Sequence, residues 1–145
     1  MARRRGRILI ITLSESVLEI RSADQVNLAR KTVQDWATRL AFGTLDRTKF
    51  VTAASELARN TLVHGRGGTL TISEIERDGR IGIKLVFEDT GPGIPDIEKA
   101  LQDGFSTAKS MGLGLGGARR LVNEFDISST VDVGTKVSIV QWKRR

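Results

Sequence analysis

Cysteine is absent from these 145 residues, so neither disulfides nor thiolate metal sites are available, and the composition suits a reducing cytoplasm. Histidine occurs once, at His64, and one imidazole cannot build a zinc site. No stretch approaches the roughly 20 apolar residues needed to span a bilayer, so a soluble protein with no membrane partner is expected. The start mimics a secretory signal, with Arg3, Arg4, Arg5 and Arg7 ahead of the apolar run 8–13. That run is too short for a signal core, and no small-residue cleavage site follows it. Internal repeats and low-complexity linkers are also lacking. The length is that of one domain, expected over 1–145, and is enough to bury a core without staples.

Acidic residues are outnumbered, giving a net charge of +6 that invites a nucleic-acid reading. The distribution argues against it. Arg3, Arg4, Arg5, Arg7, Lys143, Arg144 and Arg145 account for the whole surplus, which leaves the body between them close to neutral. Basic ends on such a body serve as solubilising tails or as a docking patch for an acidic partner. No nucleic-acid partner is expected.

Periodicity places the elements. Residues 17–21 read as a strand, paired with 7–13. Ser22-Ala-Asp-Gln25 has the pattern of a capping box and opens a helix with Val26, Ala29, Val33, Trp36, Ala37 and Leu40 on one face. Gly43 is expected to end it. Thr44 or Asp46 then caps a second helix to Val63, terminated by Gly65, Gly67 and Gly68. Strands over 69–76 and 80–89 flank Asp78-Gly79, a strong hairpin signal. A loop over 89–95, a short helix over 96–101, a loop over 104–111 and a helix over 115–125 follow. Strands over 126–131 and 135–142 close the chain. This order predicts an α+β fold, a two-layer α/β sandwich with helices on one face of a mixed, mainly antiparallel sheet.

Three segments carry candidate chemistry. Glu56-Leu-Ala-Arg-Asn60 sets a carboxylate and a carboxamide one helical turn apart on the same face. A solvated polar stripe has the same pattern, but asparagine is a poor helix-interior residue, and a buried task explains its presence. Its carbonyl oxygen is a hard ligand suited to Mg²⁺. Glu56 is placed either to orient a magnesium-bound water or to accept the proton of an attacking hydroxyl.

Asp89-Thr-Gly-Pro-Gly-Ile-Pro95 follows a strand on which Ile83, Leu85 and Phe87 alternate inward. A carboxylate there is partly buried and needs a donor, which an adenine amino group supplies. Gly91 and Gly93 let backbone approach a flat ring. The plainer alternative is a tight turn with Asp89 capping its own loop.

Gly112-Leu-Gly-Leu-Gly-Gly117 contains a formal G-x-G-x-x-G, yet it follows the polar loop 104–110 and not a strand of a parallel βαβ unit. A dinucleotide site is thereby excluded. What remains is bare backbone N–H groups at a helix start, aimed at phosphates. Ser106, Thr107 and Lys109 are placed to add contacts from the loop. His64 reads as a structural cap at a helix end ahead of a catalytic base. Thr135 reaches an adenine edge if its strand lies beside Asp89.

With these segments in order, the chain resembles the GHKL ATPase superfamily, whose Bergerat fold is shared by gyrase, sensor histidine kinases and MutL. Glu56 and Asn60 match its N box, Asp89, Gly91 and Gly93 its first glycine box, Gly112, Gly114 and Gly116 its second, and Gly134-Thr135 its terminal one. A dimerisation helix bearing a phosphoacceptor histidine is missing from the sequence, and the segment between Asp89 and Gly112 is short. In both respects the chain is similar to the small anti-sigma-factor serine/threonine kinases, above all the stressosome switch kinases. Ser55–Asn60, the stretch Glu88-Asp-Thr-Gly-Pro-Gly-Ile-Pro-Asp96, Asp103-Gly-Phe-Ser-Thr107, Arg120-Leu-Val-Asn-Glu-Phe125 and Gln141-Trp142-Lys143 carry that likeness.

The resemblance implies a kinase that uses ATP and Mg²⁺ to phosphorylate STAS-domain scaffold or antagonist proteins. It gives Asn60 the Mg²⁺, Glu56 the catalytic role and Asp89 the adenine. Gly112, Leu113, Gly114, Leu115 and Gly116 receive the phosphates. It further implies a switch in which the released kinase activates a PP2C-type phosphatase. The alternative within the superfamily is an anti-sigma factor that sequesters a sigma subunit under ATP control.

Overall fold

The computed structural model describes residues 9–102 and 114–145. Five strands form one sheet in the order β1-β2-β3-β5-β4. They are β1 (Ile10–Ile20), β2 (Gly68–Arg77), β3 (Arg80–Asp89), β4 (Glu124–Thr130) and β5 (Gly134–Trp142). All four pairings are antiparallel, so no parallel pair is found among the described residues. Helices α1 (Ala23–Arg39), α2 (Thr44–Val63), α3 (Ile97–Ala100) and α4 (Gly114–Arg120) complete the described elements.

The core lies between helices and sheet. Ala29, Val33 and Ala37 of α1 meet Phe50, Ala53, Ala54, Leu57 and Ala58 of α2, and both sets pack on Leu70, Ile72, Leu85, Phe87 and Ile139. The small helical residues let the helices sit close to the β-branched and aromatic face of the sheet, where burying one such large side chain contributes roughly 1.5–3 kcal/mol. The opposite face carries a small separate cluster of Ile75, Val140 and Trp142. The Arg77 guanidinium lies 4.3 Å from the Trp142 ring centre.

Several boundaries differ from the sequence reading, each for a local reason. The two apolar runs before α1 are one strand and not a hairpin: β1 pairs along its length with β2, with a register shift between Thr12 and Ser14. Ser14, Glu15 and Ser16 between the runs continue the strand, on an exposed edge that tolerates polar residues. Ser22 caps α1 as expected, its Oγ accepting from the Gln25 N–H at 3.2 Å. Gly43 does not end that helix. Ala41 takes the left-handed position with φ 63°, while the Phe42 N–H reaches the Ala37 carbonyl and the Ala41 N–H that of Thr38.

Gly43 instead precedes α2 at its N-cap, which has no side-chain cap hydrogen bond, so neither Thr44 nor Asp46 is the cap. Asp46 bonds Arg144 (Nε to Oδ2, 2.6 Å), which ties the chain's end to the start of α2. At the far end α4 stops at Arg120 and not at Phe125. Asn123 diverts the chain into the sheet: its N–H donates to Gln141 Oε1 at 2.9 Å and its Oδ1 accepts from the Trp142 N–H at 2.7 Å. Among the described residues, no helix is long and apolar enough to cross a membrane.

Candidate active site

A cavity of about 480 Å³ opens between the C-terminal end of α2, the end of β3 and the start of α4. Asn60, Asp89, Gly93, Gly114, Leu115 and Thr135 all line it, so the structure gathers one surface from four separated segments. Phe87, Ile94 and Val137 make its walls apolar, and Asp89 and Thr135 put polar atoms on its floor. A small apolar chamber with a few fixed polar groups suits a flat heteroaromatic ligand.

The floor is set by strand register. Asp89 and Thr135 are direct partners across β3 and β5. The Asp89 Oδ1 accepts the Gly91 N–H at 2.9 Å and the Thr135 N–H at 3.2 Å. The first of these is the turn-capping contact that was the plainer reading of Asp89. It occupies one carboxylate oxygen and leaves Oδ2 outside both bonds. On that side lies Gly65, where an added Cβ would collide with the Asp89 carboxylate. Gly65 was expected only to end α2, and its function here is close approach. Gly91 backs it: a Cβ at Gly91 would stand 2.8 Å from the Gly65 Cα. Gly91 is therefore buried behind the floor and does not line the cavity, whereas Gly93 does.

The loop after Asp89 is held from below. The Ile94 N–H donates to Ser129 Oγ at 2.8 Å, and the Pro92 carbonyl accepts from the Asp132 N–H at 2.8 Å. Ser129 Oγ also lies 2.8 Å from Thr135 Oγ1 and 3.1 Å from the Gly134 carbonyl. Asp96 caps α3, its Oδ1 taking the Lys99 N–H at 3.0 Å.

Toward the other end of the cavity, Glu56 Oε1 accepts from the Gly114 N–H at 3.4 Å. Glu56 does not itself line the cavity, but this contact joins the α2 carboxylate to the first residue of α4. Asn60 sits in the last turn of α2 and not in mid-helix, which lessens the helical cost expected of it. Its backbone carbonyl accepts from both His64 and Gly65 at 3.0 Å. Gly116 is buried within α4. Lys109, Gly112 and Leu113, with Ser106 and Thr107, lie outside the described residues. Gly65, Ile94, Val137 and Ser129 were not singled out from sequence. Phe87, inward by the alternation along β3, also lines the cavity. His64 is the C-cap of α2, as expected, but also borders the cavity.

The group expected here is a nucleotide with a divalent ion, and the donor set fits both. The floor offers acceptors to an amino-bearing base and the walls offer apolar faces. Asn60 is the kind of neutral oxygen ligand that Mg²⁺ accepts when phosphates supply the rest of its shell. Among the described residues no group of three or more acidic or histidine side chains forms a metal cage, and an ion carried in on phosphates does not require one.

Comparison with known proteins agrees with this geometry. Residues 20–141 match the family described as Histidine kinase-like ATPase domain. The chain belongs to the histidine kinase-like ATPase family. It is 39% identical over 130 residues to the serine/threonine-protein kinase RsbT of Bacillus subtilis, covering 90% of this chain and 98% of that protein. The Anti-sigma F factor of Geobacillus stearothermophilus is 33% identical over 122 residues, 79% of this chain and 82% of that protein. Among solved structures, the RsbU and RsbW domains of a Mycobacterium tuberculosis protein superpose with TM-score 0.59 at 20% identity. That likeness covers 96% of this chain and a third (33%) of the other, and it speaks to fold alone. As a histidine kinase-like ATPase domain, the chain carries Asn60 on the cavity lining, with Glu56 one helical turn before it on α2.

Proposed function

We propose that this chain is a serine/threonine-protein kinase that transfers the γ-phosphoryl group of ATP to a STAS-domain protein, as a partner switch in a stress or sigma-factor pathway. The observation that carries this reading is the Glu56 carboxylate on the Gly114 amide, one turn from Asn60, in a chain 39% identical to a named kinase of this type over 90% of its length.

In this reading Asp89 and Thr135 hold the base, and Asn60 with Gly114 and Gly116 faces the phosphates. Mg²⁺, when bound with ATP, neutralises charge on the phosphates and orients them. Glu56 accepts the proton of the attacking serine or threonine hydroxyl. The hydroxyl oxygen bonds to the γ-phosphorus as its bond to the bridging oxygen breaks, and ADP leaves. Such a site acts mainly by positioning and charge stabilisation. The switch includes engagement of a PP2C-type phosphatase after release from the phosphorylated scaffold. The cysteine-free composition suits action in the cytoplasm.

Incubation with Mg-ATP and a STAS-domain protein encoded beside it tests the proposal. A single phosphoryl mass gain on a serine or threonine is the expected result, and none with wild-type protein overturns it. The second reading, an ATP-gated anti-sigma factor, is favoured by the 33% identity to the Anti-sigma F factor. Stable complex formation with a sigma subunit, without phosphorylation of a STAS partner, would establish it instead.

A further inference from the structure

Ser129 does not border the cavity, yet its hydroxyl stands where three groups meet. It accepts the Ile94 N–H, it reaches the Gly134 carbonyl, and it touches the Thr135 hydroxyl. A serine hydroxyl has one proton and two lone pairs. The Ile94 amide can only donate and the Gly134 carbonyl can only accept. Ser129 therefore gives its proton to Gly134 and one lone pair to Ile94, and one lone pair is left for Thr135. All three contacts are satisfied together only when the Thr135 hydroxyl is the donor to Ser129. The reverse direction sets an unshared oxygen against the Gly134 carbonyl at 3.1 Å.

This count fixes what Thr135 shows to the cavity. With its proton spent on Ser129, Thr135 Oγ1 offers lone pairs alone, on the strand position directly paired with Asp89. We propose that Ser129 is a positioning residue that makes the Thr135 hydroxyl an acceptor, so that the floor selects a base edge bearing an amino group. An exocyclic amine has two N–H donors, one for each acceptor. A carbonyl at the same place, as in inosine nucleotides, meets two oxygens that cannot give it a proton. The proposal rests on the nucleotide-binding reading above and adds to it the means of discriminating between bases.

The test compares binding of Mg-ATP and Mg-ITP to wild type, Ser129→Ala and Ser129→Thr by titration calorimetry. Wild type is expected to favour ATP. In Ser129→Ala the freed Thr135 proton can turn into the cavity, and the ATP-to-ITP preference should fall about tenfold, the worth of one such hydrogen bond. Ser129→Thr, which keeps the hydroxyl, should restore it. A purely structural role would weaken both nucleotides alike and leave the ratio unchanged, which overturns the proposal. Equal binding of the two by wild type overturns it as well. Wild type that binds neither nucleotide overturns the functional reading together with this one. Should Ser129→Ala not fold, Ser129→Cys keeps the shape, weakens both hydrogen-bonding capacities, and is expected to lower the ratio in the same direction.

Discussion

The two ends of the cavity are built to different standards. At the Asp89 end, two backbone N–H groups hold one carboxylate oxygen, two glycines pack behind the other, and Ser129 ties the neighbouring loop to β4 and β5. At the Glu56 end, one contact of 3.4 Å joins the carboxylate to Gly114, and among the described residues the Asn60 carboxamide has no hydrogen-bond partner. A group with many fixed partners keeps its place whether or not ligand is bound. A group with one long contact leaves its capacity free for ligand and ion. In the proposed function the first end recognises the base and the second carries out transfer, and substitutions should separate the two.

The largest effect is expected at the loosely held end. Glu56→Ala should lower kcat for phosphorylation of the partner by about 10²–10⁴-fold, the usual contribution of a positioned general base. Nucleotide affinity should stay within a few-fold of wild type. Asn60→Ala should abolish Mg-ATP-dependent transfer. Phosphoryl mass gain on the partner, followed over time beside a nucleotide titration, reads both. Loss of binding in step with loss of rate in Glu56→Ala would erase the proposed division.

At the tightly held end the order reverses. Asp89→Asn keeps size but can turn a donor toward the base, in place of a charged acceptor worth roughly 1.5–3 kcal/mol. Affinity for ATP should fall by about 10–100-fold, while the rate at saturating nucleotide changes little. Gly65→Ala is a milder break at the same place. Its Cβ would collide with the Asp89 carboxylate, and overpacking of this kind costs about 1–3 kcal/mol. Weaker ATP binding with a modest drop in melting temperature is the expected outcome. Unchanged binding would mean that Asp89 shifts aside without consequence, and that the floor is not fixed as argued.

Much of this arrangement is legible in the sequence. Regular periodicity gave α1, α2, β2 and β3, because side-chain pattern and burial agree there. The differences fall where specific hydrogen bonds, and not residue type, decide the boundary. Gly43 looked like a helix stop, but the paired bonds from Ala41 and Phe42 closed α1 without it. Asn123 looked helical until its amide and carboxamide were claimed by Gln141 and Trp142. The order of motifs marked Asn60, Asp89 and Thr135, since each lies in a short segment of distinctive composition. Gly65 and Ser129 escaped because their importance lies in what they touch, 24 residues and 6 residues away along the chain, in Asp89 and Thr135. Sequence spacing contains no record of such approaches.

The smallest effect provides the control for the comparison. Asp46 and Arg144 form a carboxylate–guanidinium pair at the start of α2, away from the residues that line the cavity. The Arg144 hydrogen bond holds the Asp46 carboxyl below its ordinary value of 3.8, burial opposes this, and the charges of Arg144 and Lys49 reinforce it. A carboxyl with a depressed folded value contributes stability above its unfolded value and loses it as pH falls through the folded one. Arg144 is largely solvent-exposed, so screening keeps the contribution small. Arg144→Ala should therefore be slightly less stable than wild type at neutral pH. The two should converge as pH falls from about 3.8 through the lower folded value of wild type, beneath which Asp46 is protonated in both. Nucleotide affinity and transfer rate should match wild type, since neither end of the cavity is touched. A constant gap across the acid range, read from denaturant melts at successive pH values, would place the contribution of Arg144 in packing and not in charge. A change in ATP affinity would show that the two ends of α2 are coupled, and that the tightly held floor depends on how the helix is anchored at its start.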